Sequence, residues 1–535
     1  MATDWSRDGR KGQRGKGVAI GAFVAAVLVL GVLALPAGAG AQAPAPGPSE
    51  PVYTPAQAST QLDQALGALT SDDPAAADPT NELRHLAAAL PGLQGAERRR
   101  ARAILARPPA SDGAGLDDAG GVEPFGAEWS PAATLTRQQY KSPGGGFIVH
   151  YVTITDDAPS LADGSDPGVV PDYVEQAAAR SDQSQAVENG VLGWPAPKSD
   201  GAKGGGSGVT DVYLSDICEP GSCLFGYAAP DDRSDQCRRP PFQCSSYLVL
   251  DDDYSVAEFD YPDPDIPLSV TVAHEYNHVL QFTIDAMQDA WMFESTAVWA
   301  EEHVFPDAND WLFFVKAWAR QPHEPITDFS AGGGLRVYGS AVWNHWLERS
   351  LGGPGVVLDA WLRSREPNPR DFAVGAYGLA IKQHGGAGFS QAFSAFATST
   401  AEWRASGDLF PDEDSFPDVR RHDRLRRGTA DRMTLDHTAY RLYSVQVGGA
   451  DTVTFRAHAP RGVRSAIALV GRDGSAEDGT TLTQLRYLKR GGRDSVTLGG
   501  MQAFERVTAI VVNADGRVRG RRYSRDNERF RVSLR

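Results

Sequence analysis

Residues 274–278 read His-Glu-Tyr-Asn-His, inside a stretch from 268 to 282 that holds neither Gly nor Pro. The stretch is a continuous helix candidate, and residues i and i+4 of a helix project from one face. His274 and His278 can therefore share one Zn²⁺ while Glu275 beside them reaches a metal-bound water. A satisfied buried histidine pair is the purely structural alternative. A catalytic zinc takes three protein ligands and keeps one position open, so two histidines leave the set one ligand short. The next helix candidate, 289–304, carries Glu294, which follows His278 by 16 residues, room for a turn and an antiparallel return. Trp291, Phe293, Ala297 and Val298 flank it, and a carboxylate in apolar surroundings is costly unless paired or metal-bound. Glu294 is the expected third ligand, with His303 as the alternative. Glu301, two turns further on the same face, is expected to accept the free N–H of a ligand histidine.

The pattern His274-Glu275-x-x-His278 followed by Trp291-x-x-Glu294-x-x-Ala297 resembles the gluzincin metallopeptidases, whose W-x-x-E-G-x-A helix supplies the third zinc ligand. Glu301 matches a residue that recurs there. The segment Tyr338-Gly-Ser-Ala-Val-Trp-Asn-His-Trp-Leu347 is similar to that group's Y-x-x-G-containing helix, whose Tyr hydrogen-bonds the oxyanion of the tetrahedral intermediate. The resemblance gives Tyr338 that role, against a core-facing aromatic at a helix start. It is close over 270–350 and loose over 145–405, and 147–173 is also similar to secreted bacterial peptidases of this type. It implies an α+β zincin-like catalytic domain with an N-terminal mixed sheet and a helical C-terminal half. Ser295 departs from the pattern's Gly, and the spacing from His278 to Glu294 is shorter than in the aminopeptidase branch. The G-x-M-E-N strand of that branch is absent. Ser246–Leu250 occupies its place as a plausible edge strand for an extended substrate to join. These departures favour an endopeptidase over an aminopeptidase. The segment after His278 also lacks the Gly and His of a metzincin site. A non-catalytic surface or adhesion module on a peptidase fold is a third reading, and the intact motif speaks against it.

Arg7, Arg10, Lys11, Arg14 and Lys16 precede an apolar run over 18–35 and a small-residue site at Ala39-Gly40-Ala41. This is the signal-peptide pattern, so 1–41 is expected to direct secretion, or to anchor the chain in a membrane if left uncleaved. Export permits disulfides. The four cysteines, Cys218, Cys223, Cys237 and Cys244, allow three pairings, and the local one, Cys218–Cys223 with Cys237–Cys244, is expected. Their spacings do not resemble the paired C-x-x-C hooks of a zinc knuckle. Residues 42–125 read as a Pro/Ala linker, a helical module, a basic stretch at Arg98, Arg99, Arg100 and Arg102, and a loop. That is either a removable prosegment, which would make the protein a zymogen, or an ordinary helical hairpin. The catalytic domain is expected over 126–435, with strands at 147–154, 211–214 and Ser246–Leu250 and helices at 266–287, 289–304, 309–320, 338–351 and 386–404. Over 436–535, short alternating runs at 442–447, 452–457, 465–470, 495–498, 507–512 and 530–534 read as an all-β sandwich.

Of the 535 residues, 41% are hydrophobic and 22% charged, which fits a globular protein, and a net charge of -16 excludes a basic nucleic-acid binder as the default. The charge is uneven: 436–535 holds 18 basic and 10 acidic residues. The basic cluster over 517–535 can hold the protein on anionic cell-envelope polymers, or form a solvated face. The acidic stretches 163–166 and 251–253 are candidates for Ca²⁺, or plain solvated loops. The expected partner at the site is a protein or peptide substrate, and no nucleic acid is expected.

Overall fold

The computed structural model describes residues 53–535 apart from 71–77, 108–128, 130–136, 160–168, 202, 205, 220–221, 232–236, 238–241, 332–333, 366–371, 406, 476–478, 489–491 and 520–521. The signal segment 1–41, the start of the linker and the acidic stretch 163–166 lie outside the described residues. All described residues belong to one body, 46–535.

Three helices come first: α1 (Pro55–Leu69), α2 (Pro79–Ala89) and α3 (Gly95–Ile104). Then follow β1 (Arg137–Lys141), β2 (Phe147–Val152), α4 (Asp172–Gln185), β3 (Thr210–Leu214), β4 (Cys218–Glu219), β5 (Ser222–Cys223), β6 (Gly226–Pro230) and β7 (Ser246–Leu250). A mixed sheet runs in the order β1-β2-β3-β7-β6, with β2, β3 and β7 parallel and the two edge strands antiparallel. Every residue of β2, β3 and β7 is buried, as expected of parallel strands covered on both faces. Alternate side chains divide between two cores. Phe147, Val149, Val212, Leu214, Leu248 and Leu250 pack with Val174 and Ala177 of α4 and with the helix of the histidine motif. Val152, Tyr213, Tyr227, Tyr247 and Val249 pack with Leu62, Leu66, Leu83, Leu86 and Leu90 of the N-terminal helices. Ser246–Leu250 is therefore interior, not the expected edge. Its apolar run satisfies both faces, and the edge on this side of the sheet falls to β6, itself largely buried. Gly226 opens that edge strand, where a Cβ would meet Thr271 Cγ2 at 2.7 Å. Both expected disulfides are present, Cys218–Cys223 and Cys237–Cys244.

The middle of the chain is helical: α5 (Val256–Phe259), α6 (Asp265–Asp285), α7 (Ala290–Val304), α8 (Leu312–Arg320), α9 (Leu335–Gly339), α10 (Ala341–Leu351), α11 (Gly355–Ser364), α12 (Ala373–Gln383) and α13 (Phe389–Ser399). α6 carries the motif and is buried on almost every side, a helix apolar all round that becomes core rather than surface. Pro267 sits in its first turn, where no backbone N–H is needed. The helix expected over 338–351 is divided at Ser340 into α9 and α10. α11 and α12 are additional to the expected set. Gly355, Gly375 and Gly378 with the β-branched Val356 and Val357 weaken their helix propensity, and they are stabilised instead by packing Val356, Val357, Ala360, Tyr377 and Ile381 into the core.

The C-terminal region is β-sheet: β8 (Arg421–Arg426), β9 (Ala430–Leu435), β10 (Ala439–Gln446), β11 (Thr452–His458), β12 (Ser465–Arg472), β13 (Thr481–Tyr487), β14 (Arg493–Gly499), β15 (Arg506–Asn513), β16 (Val518–Arg519), β17 (Arg522–Tyr523) and β18 (Glu528–Leu534). Sheets of order β13-β12-β15-β10-β8 and β14-β11-β18-β9 share one core, from Tyr443, Ile467 and Val511 on one side to Phe455, Phe530 and Val532 on the other. All six expected strands appear. β8, β9 and β13 are edge strands whose charged or polar outer residues hide the apolar alternation. In the basic cluster, Arg517 pairs with Asp515 (2.5 Å) and Arg525 with Glu528 (3.2 Å), so two of its arginines are engaged internally. Tyr523 of β17 donates its hydroxyl to Asp289 Oδ2 (2.8 Å), just before α7, and the same oxygen accepts from the Ala373 N–H (3.0 Å).

Arg107 pins the N-terminal helices to the sheet. It is 4% exposed, pairs with Asp231 (2.9 Å) and Asp211, and donates to the Ser246 carbonyl (3.3 Å). Removing one partner of a buried ion network leaves the others uncompensated, at about 3–5 kcal/mol. Arg107→Met should destabilise the protein by about that amount in denaturant unfolding, and a loss no larger than a surface substitution would show the carboxylates to be neutral.

Candidate metal centre

α6 and α7 lie side by side, and their facing positions bring the predicted residues together. His274 Nε2 lies 3.1 Å and His278 Nε2 3.6 Å from Glu294 Oε2. The other ring nitrogens are fixed by partners: His274 Nδ1 donates to Glu301 Oε1 (2.5 Å) and His278 Nδ1 to Gln281 Oε1 (2.7 Å). Both Nε2 atoms are thereby directed at the centre, where each can carry a proton towards Glu294 or, deprotonated, bind a metal ion. Gln281 is itself held, donating to Asn277 Oδ1 (2.6 Å), the Phe293 carbonyl (3.0 Å) and Thr296 Oγ1 (2.8 Å). Among the described residues, His278 Nε2 is buried with no hydrogen-bond partner, a costly state for a polar atom unless a further group binds it. Two imidazoles and a carboxylate form a borderline-soft donor set suited to zinc. The residues fit such an ion.

A fourth donor comes from far upstream. Asp78, His274, His278 and Glu294 each offer a ligand atom within 4.8 Å of the others, so one metal ion fits among them. Asp78 caps α2, accepting from the Asn81 N–H (3.3 Å), and its other oxygen accepts from the Tyr338 hydroxyl (3.1 Å). Thr80 donates to Glu275 Oε2 (3.2 Å) and Asn81 Nδ2 to Glu294 Oε1 (2.5 Å). Tyr338, expected near the site, lies with its ring centroid 5.9 Å from that of His274. Gly339 next to it lets α9 approach α8, for a Cβ there would strike the Phe314 carbonyl. The centre opens on a cleft of about 500 Å³, lined by Phe225, Gly226, Val270, Glu275, Phe314 and Tyr338 among others.

The electrostatics reflect acidic groups crowded in a dry place. Burial, with Glu294 and Glu275 nearby, pushes the Asp78 carboxyl up to about 7. Burial likewise pushes Glu301 up to about 7 and raises Glu275. Glu294 goes the other way: burial opposes its charge, but His278 and His274 hold it well below the usual carboxylate range. Burial alone would lower His274, yet its hydrogen bonds to Glu294 and Glu301 raise it well above the usual imidazole value.

His303, the alternative third ligand, is directed elsewhere. It bonds Glu348 Oε2 (2.8 Å), which also accepts from Trp299 Nε1 (2.9 Å). With His345 these two form a separate metal-capable group. Asp216, Asp251 and Asp252 form another; there, burial and the neighbouring acids push Asp252 up to about 9. Sequence reasoning missed Gln281, whose position three residues after His278 places it on the same helix face. It also missed Asp78, Thr80 and Asn81, whose local pattern reads only as a helix start.

No protein-family model matches the chain, and no curated protein matches it. Replacing the partners that orient ligand histidines typically weakens metal binding by about 10–100-fold. Glu301→Gln and Gln281→Leu should each lower zinc affinity within that range, measured by chelator competition on folded protein, and unchanged affinity would remove the orienting role.

Proposed function

We propose that the chain is a secreted zinc-dependent endopeptidase of gluzincin type, with a zincin-like catalytic region and a C-terminal β-sandwich. One observation carries this reading: two imidazoles from one helix and a carboxylate from the next converge beside a second carboxylate, Glu275, at the wall of an open cleft. A bound zinc supplies Lewis-acid polarisation of the scissile carbonyl and brings the pKa of water to about 7.

His274, His278 and Glu294 would hold the ion, with Glu301 and Gln281 fixing the two rings. Glu275 takes a proton from the attacking water and delivers it to the leaving amine. Tyr338 donates its hydroxyl to the developing oxyanion. β6 offers an antiparallel edge to an extended peptide, whose backbone would pair with it. Two disulfides in the sheet region fit an oxidising compartment, and no helix among the described residues is long and apolar enough to cross a membrane.

General-base catalysis contributes about 10²–10⁴-fold. Glu275→Gln should retain stoichiometric zinc and lose peptide cleavage by about that factor or more, assayed with a peptide library on the secreted protein beside a chelator control. Cleavage at the wild-type rate would overturn the mechanism.

A further inference from the structure

The first turn of α2 and its cap place three polar side chains, Asp78, Thr80 and Asn81, on the site. Its sheet-facing residues Leu83, Leu86 and Ala87 are apolar, as a covering helix requires. Asp78, Thr80, Asn81 and Arg84 serve no such purpose, yet Thr80, Asn81 and Arg84 are at most 2% exposed. Arg84 secures the turn. Its Nη1 donates to the carbonyls of Ala286 (2.8 Å) and Gln288 (2.9 Å), beyond the motif helix, and its guanidinium lies 4.2 Å over the Phe293 ring. Its Nε and Nη2 hold Asn81 Oδ1 (2.9 and 2.7 Å).

We propose that Asp78 is a fourth ligand to the zinc, occupying the position that the reacting water needs, and that the chain is latent while this turn is seated. The inference rests on the zinc-peptidase reading above. Three protein ligands leave a catalytic zinc open, whereas four close it. The neighbouring contacts act in the same sense. Thr80 engages the Glu275 carboxylate that would take the proton. Thr80 Oγ1 also accepts from the Ala228 N–H (3.0 Å), on the edge strand where a substrate backbone would bind. The Tyr338 hydroxyl is turned onto Asp78. One helical turn thus covers the metal position, the base, the oxyanion donor and the substrate edge.

The test uses the full chain with cobalt(II) in place of zinc, carrying Glu275→Gln to prevent self-cleavage, and acetohydroxamate as the probe. With Asp78 in place, the visible spectrum of the bound cobalt should not respond to the probe. Asp78→Ala should respond, binding the probe at least about tenfold more tightly, because a site open less than a tenth of the time has its apparent affinity reduced in that proportion. Asp78→Asn, which keeps the helix cap, should also bind the probe more tightly than the parent and guards against misfolding. With Glu275 intact, Asp78→Ala should raise peptide cleavage in parallel. Equal probe binding with and without Asp78 would overturn latency and leave the peptidase reading standing. A spectral response without peptide cleavage would keep Asp78 as the blocking ligand and sink the peptidase reading. Failure of every form to bind cobalt would overturn both.

Discussion

Glu294 is fully buried between two imidazoles, and the surrounding architecture answers to that one carboxylate. An ion in a dry interior is costly unless its charge is met at close range. His274 and His278 meet it from α6, so α6 and α7 must pack in one register. The rings must in turn be held from behind, which fixes Glu301 and Gln281 and, through Gln281, Asn277 and Thr296. The helix carrying the histidines is buried on nearly all sides because this chain of partners leaves it no solvent face. The sheet beneath supplies the wall against which α6 is pressed.

The legible part of the site is the part whose chemistry is written at helical spacing. His274, Glu275 and His278 are neighbours within a turn, and Glu294 betrays itself as a carboxylate among Trp291, Phe293, Ala297 and Val298. Asp78 gives no such signal: Asp-Pro-Thr-Asn is what any helix start looks like, and the cap bond to Asn81 accounts for it locally. Its second partner, Tyr338, is 260 positions away, and only the packing of α2 across the sheet joins them. The order of strands was unreadable for the same reason. β7 alternates apolar side chains towards two cores at once, and nothing in its sequence says which strand lies beside it. β8, β9 and β13 carry charge or polarity on their outward faces and so lack the apolar runs that mark strands.

The C-terminal sheets also take part in the helical region. Tyr523 and the Ala373 backbone both bond Asp289, which stands at the start of the helix bearing Glu294. The expected boundary at 436 therefore separates regions of different secondary structure that still share hydrogen bonds.

The two cores of the mixed sheet bear on how such an enzyme would be switched on. Discarding the N-terminal helices would expose Tyr213, Tyr227, Tyr247 and Val249 together with the leucines that cover them. At about 1.5–3 kcal/mol for each large apolar side chain, that loss runs to the order of 10 kcal/mol. Lifting the first turn of α2 breaks hydrogen bonds each worth about 0.5–3 kcal/mol net and exchanges the proposed Asp78 ligation for water. The economical transition is therefore a small one, with the helices staying on the sheet as a permanent second wall while a single turn unseats. A mature form would then keep its N-terminal helices, cut or uncut, as part of the folded enzyme.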